Sequence, residues 1–273
     1  MNLSNDPREF IDETERRKLL DAALSYSDLC REVISSTVAG GVEVNFKPDH
    51  SLVTNADLAV ERAFRERVEK ELPGMGILGE EFGRVHPESP YQWVIDPVDG
   101  TAEFAHGVPF WGSIIGLFYH GVPVVGVIDH ADLNVRLHAA HGLGAFKNGE
   151  RISLEDAEPV GTPRIGLPSR IAFMKTSDEG HVFDALASAY PDFRVLRTCL
   201  THAYAATGQL DAALEWNVNL WDLAATCVIV EEAGGGYVCV REREHPATGM
   251  LYCAVFGRPS LVDRIVALLA AHV

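Results

Sequence analysis

The chain is short of positive charge. Its 23 Lys and Arg stand against 39 Asp and Glu, a formal net charge of −16 at pH 7. A phosphate backbone is gripped by Lys and Arg, so the balance argues against a nucleic-acid partner. No stretch approaches the roughly 18 uninterrupted apolar residues that cross a bilayer, so no membrane span is expected. Cysteines are few: Cys30, Cys199, Cys227, Cys239 and Cys253, an odd number with no C-x-x-C pair. That usage fits a reducing compartment in which Cys serves as a small apolar residue. The polar opening M-N-L-S-N-D-P-R-E-F has no signal-peptide pattern, and a cytoplasmic location is expected. The eleven histidines include no H-E-x-x-H, which disfavours a zinc hydrolase. Gly234-Gly235-Gly236 is not followed by Lys-Ser/Thr, and no G-x-S-x-G occurs. A phosphate loop and a serine hydrolase are therefore unsupported.

What is present is ample apolar material, 47% of the 273 residues, enough for one large domain or two tightly packed halves. Helical spacing runs from Phe10 to Val38 and stops at Gly40-Gly41. Val42–Phe46 alternates as a strand. Thr54 or Asn55 caps a helix reaching about Leu72. Gly76–Gly79 reads as a short buried strand, and Trp93–Ile95 as another. Strands follow at Phe110–Tyr119, Pro123–Asp129, Arg136–Ala139 and near Ala145, in the pattern of an antiparallel meander. Residues 151–165 turn to Pro, Glu and Thr, and the boundary between halves is placed there. Residues 1–155 form an α+β half and 156–273 an α/β half. In the latter, helices at Asp178–Ala189, Thr201–Thr207, Leu223–Glu232 and Ser260–Ala271 alternate with strands. Those strands are Arg194–Leu196, Ala212–Glu215, Gly236–Val240 and Tyr252–Val255.

The chemistry gathers around Trp93–Trp111. The strand delivers Asp96 to its end, Pro97 stops the ladder, and Asp99 follows three residues later. Gly100 permits a sharp turn and Thr101 is a good N-cap for a short helix. Carboxylate oxygens suit a hard cation such as Mg²⁺, and the N–H groups of a helix start suit a phosphate. Three further acids sit at ends of elements: Asp57 in the first turn of a helix, Glu80 beside Glu81 after Gly79, and Asp222 near the N-cap of Leu223–Glu232. Adjacent residues of a strand point oppositely, so only one of Glu80 and Glu81 is expected to face a given site. Each acid taken singly is also an ordinary cap or loop residue. The set of Glu80, Asp96, Asp99 and Asp222 is what phosphoryl transfer on two or three Mg²⁺ ions needs.

L-V-T-N-A-D at 52–57, G-E-E at 79–81, D-P-V-D-G-T at 96–101 and W-D-L-A-A…E-A-G-G at 221–235 resemble the signatures of the inositol monophosphatase family, in order and separation, over nearly the whole chain. The resemblance implies an alternating αβαβα layered fold, often homodimeric, that hydrolyses a small phosphate monoester with Mg²⁺. It implies that Glu80, Asp96 and the main-chain carbonyl of Val98 hold one ion, and that Asp96, Asp99 and Asp222 hold a second. Glu80 would help a third. Asp57 and Thr101 would orient the attacking water, and the N–H groups of Gly100 and Thr101 would grip the phosphate. Glu215 falls where family members contact the organic part of the substrate.

Ala102-Glu103-Phe104 and Cys199-Leu200-Thr201-His202-Ala203-Tyr204 depart from the inositol enzymes. The latter segment, with H-G-V-P-F-W-G-S-I-I-G-L, is more similar to the histidinol-phosphate phosphatases of the family. Glu103 and Glu215 would form an acidic pocket for an amine. Histidinol phosphate and inositol monophosphate are thus rival substrates, ahead of nucleotide 3′-phosphates and sugar bisphosphates. A catalytically inactive metal-binding homologue is the reading from another class; the intact acids and Thr101 argue against it.

Overall fold

The computed structural model describes residues 6–48, 50–175, 178–245 and 249–272. After a 3₁₀ turn at Pro7–Phe10 come α1 (Glu13–Gly40), β1 (Val44–Phe46), β2 (Leu52–Thr54), α2 (Asn55–Glu71), β3 (Gly76–Gly79), β4 (Gly83–Val85) and β5 (Tyr91–Asp99). Next are α3 (Thr101–Ala105), β6 (Gly112–Tyr119), β7 (Val122–His130), β8 (Val135–Ala140), β9 (Gly144–Lys147) and β10 (Glu150–Ile152). Then follow β11 (Ile165–Leu167), α4 (Arg170–Met174), α5 (Gly180–Ala189), β12 (Phe193–Val195), α6 (Leu200–Ala206) and β13 (Ala212–Val218). The chain continues through α7 (Leu220–Leu223), α8 (Thr226–Glu232), β14 (Gly236–His245), β15 (Gly249–Gly257) and α9 (Pro259–Ala270).

Two sheets carry the fold. The eight-stranded sheet has the order β10-β9-β8-β7-β6-β5-β3-β4 and is built from residues 76–152. The expected meander is its antiparallel run from β5 to β10; β3 joins parallel to β5. The five-stranded sheet has the order β12-β11-β13-β15-β14 and lies within residues 165–257.

Alternation along the strands sorts side chains to opposite faces. Trp93 and Ile95 of β5 enter a core with Leu19, Ala23 and Tyr26 of α1 and Val60 and Phe64 of α2. Val94, between them, faces the other way, into a core shared with α6, α8 and the inner face of the second sheet. The outer face of that second sheet, through Ala212, Leu214 and Val255, packs on α4, α5 and α9. The layers are therefore αβαβα.

Fully buried Trp93 meets Tyr26 edge-on at 5.3 Å between ring centroids, and Tyr26 meets Phe64 at 5.4 Å. Such pairs contribute about 0.5–1.5 kcal/mol each beyond area burial, and here they fasten both helices to the central strand.

Three expectations need correction. Pro97 does not end its strand: β5 runs to Asp99, with a register shift against β6 between Asp96 and Asp99. Lacking an N–H, Pro97 is tolerated where the ladder is already interrupted. The helix expected at Leu223–Glu232 is two pieces, α7 and α8; Asp222, expected near a cap, is the third residue of α7 and closes a capping box with the cap residue Asn219. The break lies against the first sheet at Gly116 and Gly126. A Cβ at Gly116 would sit 2.3 Å from the Ala224 carbonyl oxygen, and one at Gly126 would sit 2.7 Å from that of Ala225. Finally, Gly100 rather than Thr101 is the N-cap of α3, because the turn requires the left-handed conformation (φ 90°). Short strands β2, β4, β10 and β11 carry too little pattern to be read from sequence.

Candidate active site

Four segments converge where β5 ends. The register shift turns Asp96 and Asp99 toward the same side. Asp96 Oδ1 accepts the N–H of Val98 at 3.1 Å, looping over Pro97, whose carbonyl is held by the Ser113 hydroxyl at 2.6 Å. Asp222 enters from α7, its Oδ2 accepting the Asn219 N–H at 2.6 Å. Ligand oxygens of Asp96, Asp99 and Asp222 all lie within 4.8 Å of one another.

Asp57 comes from the start of α2. Its Oδ2 accepts the Thr54 N–H at 2.8 Å and the Thr54 hydroxyl at 2.5 Å, closing a capping box. Its other oxygen is 3.4 Å from the Thr101 hydroxyl, which also lies 3.1 Å from the Val98 carbonyl. Thr101 has one proton and two acceptors. The N–H groups of Gly100 and Thr101 precede the first intrahelical bond of α3, from Phe104 to the Gly100 carbonyl.

Glu80 stands at the turn between β3 and β4. Its carboxylate and that of Glu81 meet the same ammonium: Lys47 Nζ is 2.6 Å from Glu80 and 2.8 Å from Glu81. The expectation that the two acids point apart is thus wrong. They are in a turn, where strand alternation does not hold. That turn is tied down from α2 by buried Glu61, which accepts the N–H groups of Glu81 and Phe82 at 2.7 and 3.1 Å.

Electrostatics mark the site. Burial first, then the charges of Glu80, Asp99, Asp222 and Asp57, push the Asp96 carboxyl well above the usual range. Burial and then Asp99 and Glu80 do the same to Asp222. Asp99 is pushed up to about 6, mainly by burial and against the pull of the Cys199 N–H. Burial also raises Asp57 and lifts Glu81 to about 7. Burial opposes the charge of Lys47, but Glu80 and Glu81 outweigh it and hold its pKa above the ordinary value. Acids that repel one another, Asp96 buried and Asp99 and Asp222 half-buried, and that offer only oxygen are the donor set of a hard divalent cation. Burial, and then the charge of Asp99, push the neighbouring Cys199 thiol well above its ordinary pKa.

The organic part of a substrate has room beside this cluster. Glu215, on β13, raises the pKa of both Asp99 and Asp222 and also lines a cavity of about 360 Å³ with Ser169, Lys175, Arg197 and Asn217. Glu103, in the first turn of α3, is half-buried and is not among the residues lining that cavity. A larger cavity of about 700 Å³, between β3–β4, α7 and β14–β15, contains none of the clustered acids. Lys47, Glu61 and His202 escaped the sequence reading; each acts through a partner far along the chain, and no local pattern announces that.

This fold and this cluster define a phosphoric monoester hydrolase. The family model described as the inositol monophosphatase family matches residues 15–272, and the chain belongs to that family. A histidinol-phosphatase of Mycobacterium tuberculosis is 36% identical over 199 residues, 71% of this chain and 76% of the relative. An inositol-1-monophosphatase of Caulobacter vibrioides is 33% identical, over 75% of this chain and 82% of the relative. Among solved structures, the inositol monophosphatase of Anabaena superposes with a TM-score of 0.77 at 26% identity, covering 94% of this chain and 97% of its own.

Proposed function

We propose that the chain hydrolyses histidinol phosphate, or a phosphate monoester with a similar amine-bearing leaving group, in a Mg²⁺-dependent reaction. The observation that carries this reading is the position of Glu215, between the clustered acids and the adjoining cavity. A carboxylate there meets the leaving group rather than the phosphate. The histidinol-phosphatases among the relatives support the same choice.

Asp96, Asp99 and Asp222 would hold Mg²⁺, with Glu80 and the Val98 carbonyl completing two or three positions. When bound, the metal lends positive charge to the phosphate oxygens and lowers the pKa of a water. The protein supplies the rest. The N–H groups of Gly100 and Thr101 face the phosphate, and the Thr101–Asp57 pair orients the attacking water by accepting its proton through Thr101. Glu215 fixes the leaving group. Assembly as a homodimer belongs to the same reading, and light scattering on the purified protein tests it.

A second reading has its own support. Arg197 and Lys175 line the cavity opposite Glu215's role and would receive a second phosphate, as in a sugar bisphosphate. Phosphate release from histidinol phosphate, inositol monophosphate, a sugar bisphosphate and an aryl phosphate, with Mg²⁺ and with EDTA, decides. A preference for histidinol phosphate supports the first reading; a preference for the bisphosphate replaces it.

A further inference from the structure

His202 is used by none of the roles above, yet it is one of the best-held side chains near the site. It lies on α6, 3% exposed, and three elements fix its ring. Nε2 is 3.2 Å from Glu215 Oε1 on β13. Nδ1 is 2.8 Å from the Thr226 hydroxyl on α8. The edge of Phe256 on β15 closes the third side, 5.0 Å between centroids and 79° between planes.

A carboxylate can only accept, so the nitrogen facing Glu215 is the protonated one. The Thr226 hydroxyl then donates to Nδ1 if the ring is neutral, or accepts from it if the ring is charged. In both cases Nε2–H donates to Glu215. Oε2 of Glu215 takes no hydrogen bond among the described residues, and the side chain is 12% exposed on the cavity wall. The strand beneath is itself shaped for this: β13 shifts register against β15 between Glu215 and Val218, with Asn217 in the left-handed region at φ 56°.

We infer that His202 is a positioning residue for specificity. It clamps one oxygen of Glu215 so that the other is presented to the organic part of the substrate. The inference rests on the substrate-facing role proposed for Glu215. A glutamate held in one rotamer before binding loses no further freedom when the ligand arrives; a released one does. Arresting one side chain of this kind corresponds to about two- to thirteen-fold in affinity.

Two conservative variants separate this role from mere packing. The amide nitrogen of Gln overlies Nε2 of His, so His202→Gln keeps a donor for Glu215. The amide of Asn overlies Nδ1, so His202→Asn keeps a partner for Thr226 and drops the donor. With Mg²⁺ present, H202N is expected to raise KM for histidinol phosphate about tenfold while kcat falls less than about threefold. On an aryl phosphate its loss in kcat/KM should be the smaller by several-fold. H202Q should recover most of the discrimination. Equal losses on both esters, or H202N and H202Q behaving alike, would overturn the inference. If H202N does not fold by its melting curve, Thr226→Val is the substitute. It frees Nδ1 and should weaken discrimination in the same direction, and unchanged discrimination in T226V would overturn the inference equally. The wild type is assayed first. If it prefers inositol monophosphate, the histidinol phosphate reading fails alone, and the same variants are compared on that ester. If it hydrolyses no monoester, both fail.

Discussion

Cys199 donates its main-chain N–H to the carboxylate of Asp99, a hundred residues earlier in the chain. The bond joins the start of α6 to the end of β5. Gly100 lies beside the same contact: a Cβ there would come within 2.7 Å of the Thr198 methyl. The acid cluster is therefore assembled from segments more than a hundred residues apart, and its repulsions are held in check by tertiary structure. The predictions below follow from that tension.

Asp96 lies at the centre of the repulsion. Asp96→Asn should lower kcat at least about a hundredfold, because a neutral amide is a poor ligand for a hard cation. The same change should raise the melting temperature of the metal-free protein at pH 7.5, since it deletes a charge that burial and four neighbouring acids oppose. Near-normal turnover with an unaltered melting curve would show that Asp96 is not in the metal site.

The raised carboxyls also set a pH dependence, whose sign is as follows. A group whose folded pKa exceeds its unfolded value binds more protons in the folded state. Its contribution to stability is full below the unfolded value and fades as pH rises through the folded one. Asp99, at about 6 against an ordinary value of 3.8, and Glu81, at about 7 against 4.5, both do this. The metal-free protein should accordingly gain stability on acidification from about pH 7.5 to 5, opposite to a protein whose acids are salt-bridged. Mg²⁺ must displace those protons, so its affinity should fall as pH drops through 6. Calorimetric titration in buffers of different ionisation enthalpy measures the protons released. Pairing pH-independent affinity with no proton release would contradict this account.

Much of this was legible beforehand, for a physical reason. Asp96, Asp99, Gly100 and Thr101 lie within one turn, where spacing alone dictates that they share a corner. The amphipathic spacing of α1 and α2 and the near-continuous apolar runs of β6 and β7, buried on both faces, are equally local. The misses were long-range or very short. Whether Glu80 and Glu81 diverge depends on a turn held by Glu61 from another element. The break between α7 and α8 depends on glycines of the facing sheet, about a hundred residues away. Of the two glutamates expected to face the organic part of the substrate, Glu215 is among the residues lining the cavity and Glu103 is not.

Gly116 tests that break. Gly116→Ala places a methyl against the Ala224 carbonyl at 2.3 Å, where backbone must move. Overpacking of this kind costs about 1–3 kcal/mol. Because Asp222 is two residues before Ala224, displacement should also reduce activity more than the lost stability explains at a temperature where the variant is folded. Gly40→Ala, with nothing within 4 Å of the added methyl, is the control and should be neutral. Wild-type stability in G116A would mean that the contact is slack.

The final prediction concerns Glu215 itself. A misplaced metal ligand lowers kcat for every ester, since it serves the reaction centre that all of them share. A residue touching the leaving group instead changes kcat/KM unequally among substrates. Losing one charge-assisted hydrogen bond costs about 1.5–3 kcal/mol, or roughly ten- to a hundredfold. Glu215→Gln keeps the shape and an acceptor for His202 but removes the charge an amine would meet. It should therefore cost histidinol phosphate the full factor, inositol monophosphate less, and an aryl phosphate least. Removing the charge also relieves Asp99 and Asp222, whose pKa values Glu215 helps to raise, so Mg²⁺ affinity should change little or weaken only slightly. The measurements are kcat/KM on the three esters and Mg²⁺ titration of wild type and E215Q. Equal losses on all three, tracking a large loss of Mg²⁺ affinity, would move Glu215 from the substrate pocket into the metal site.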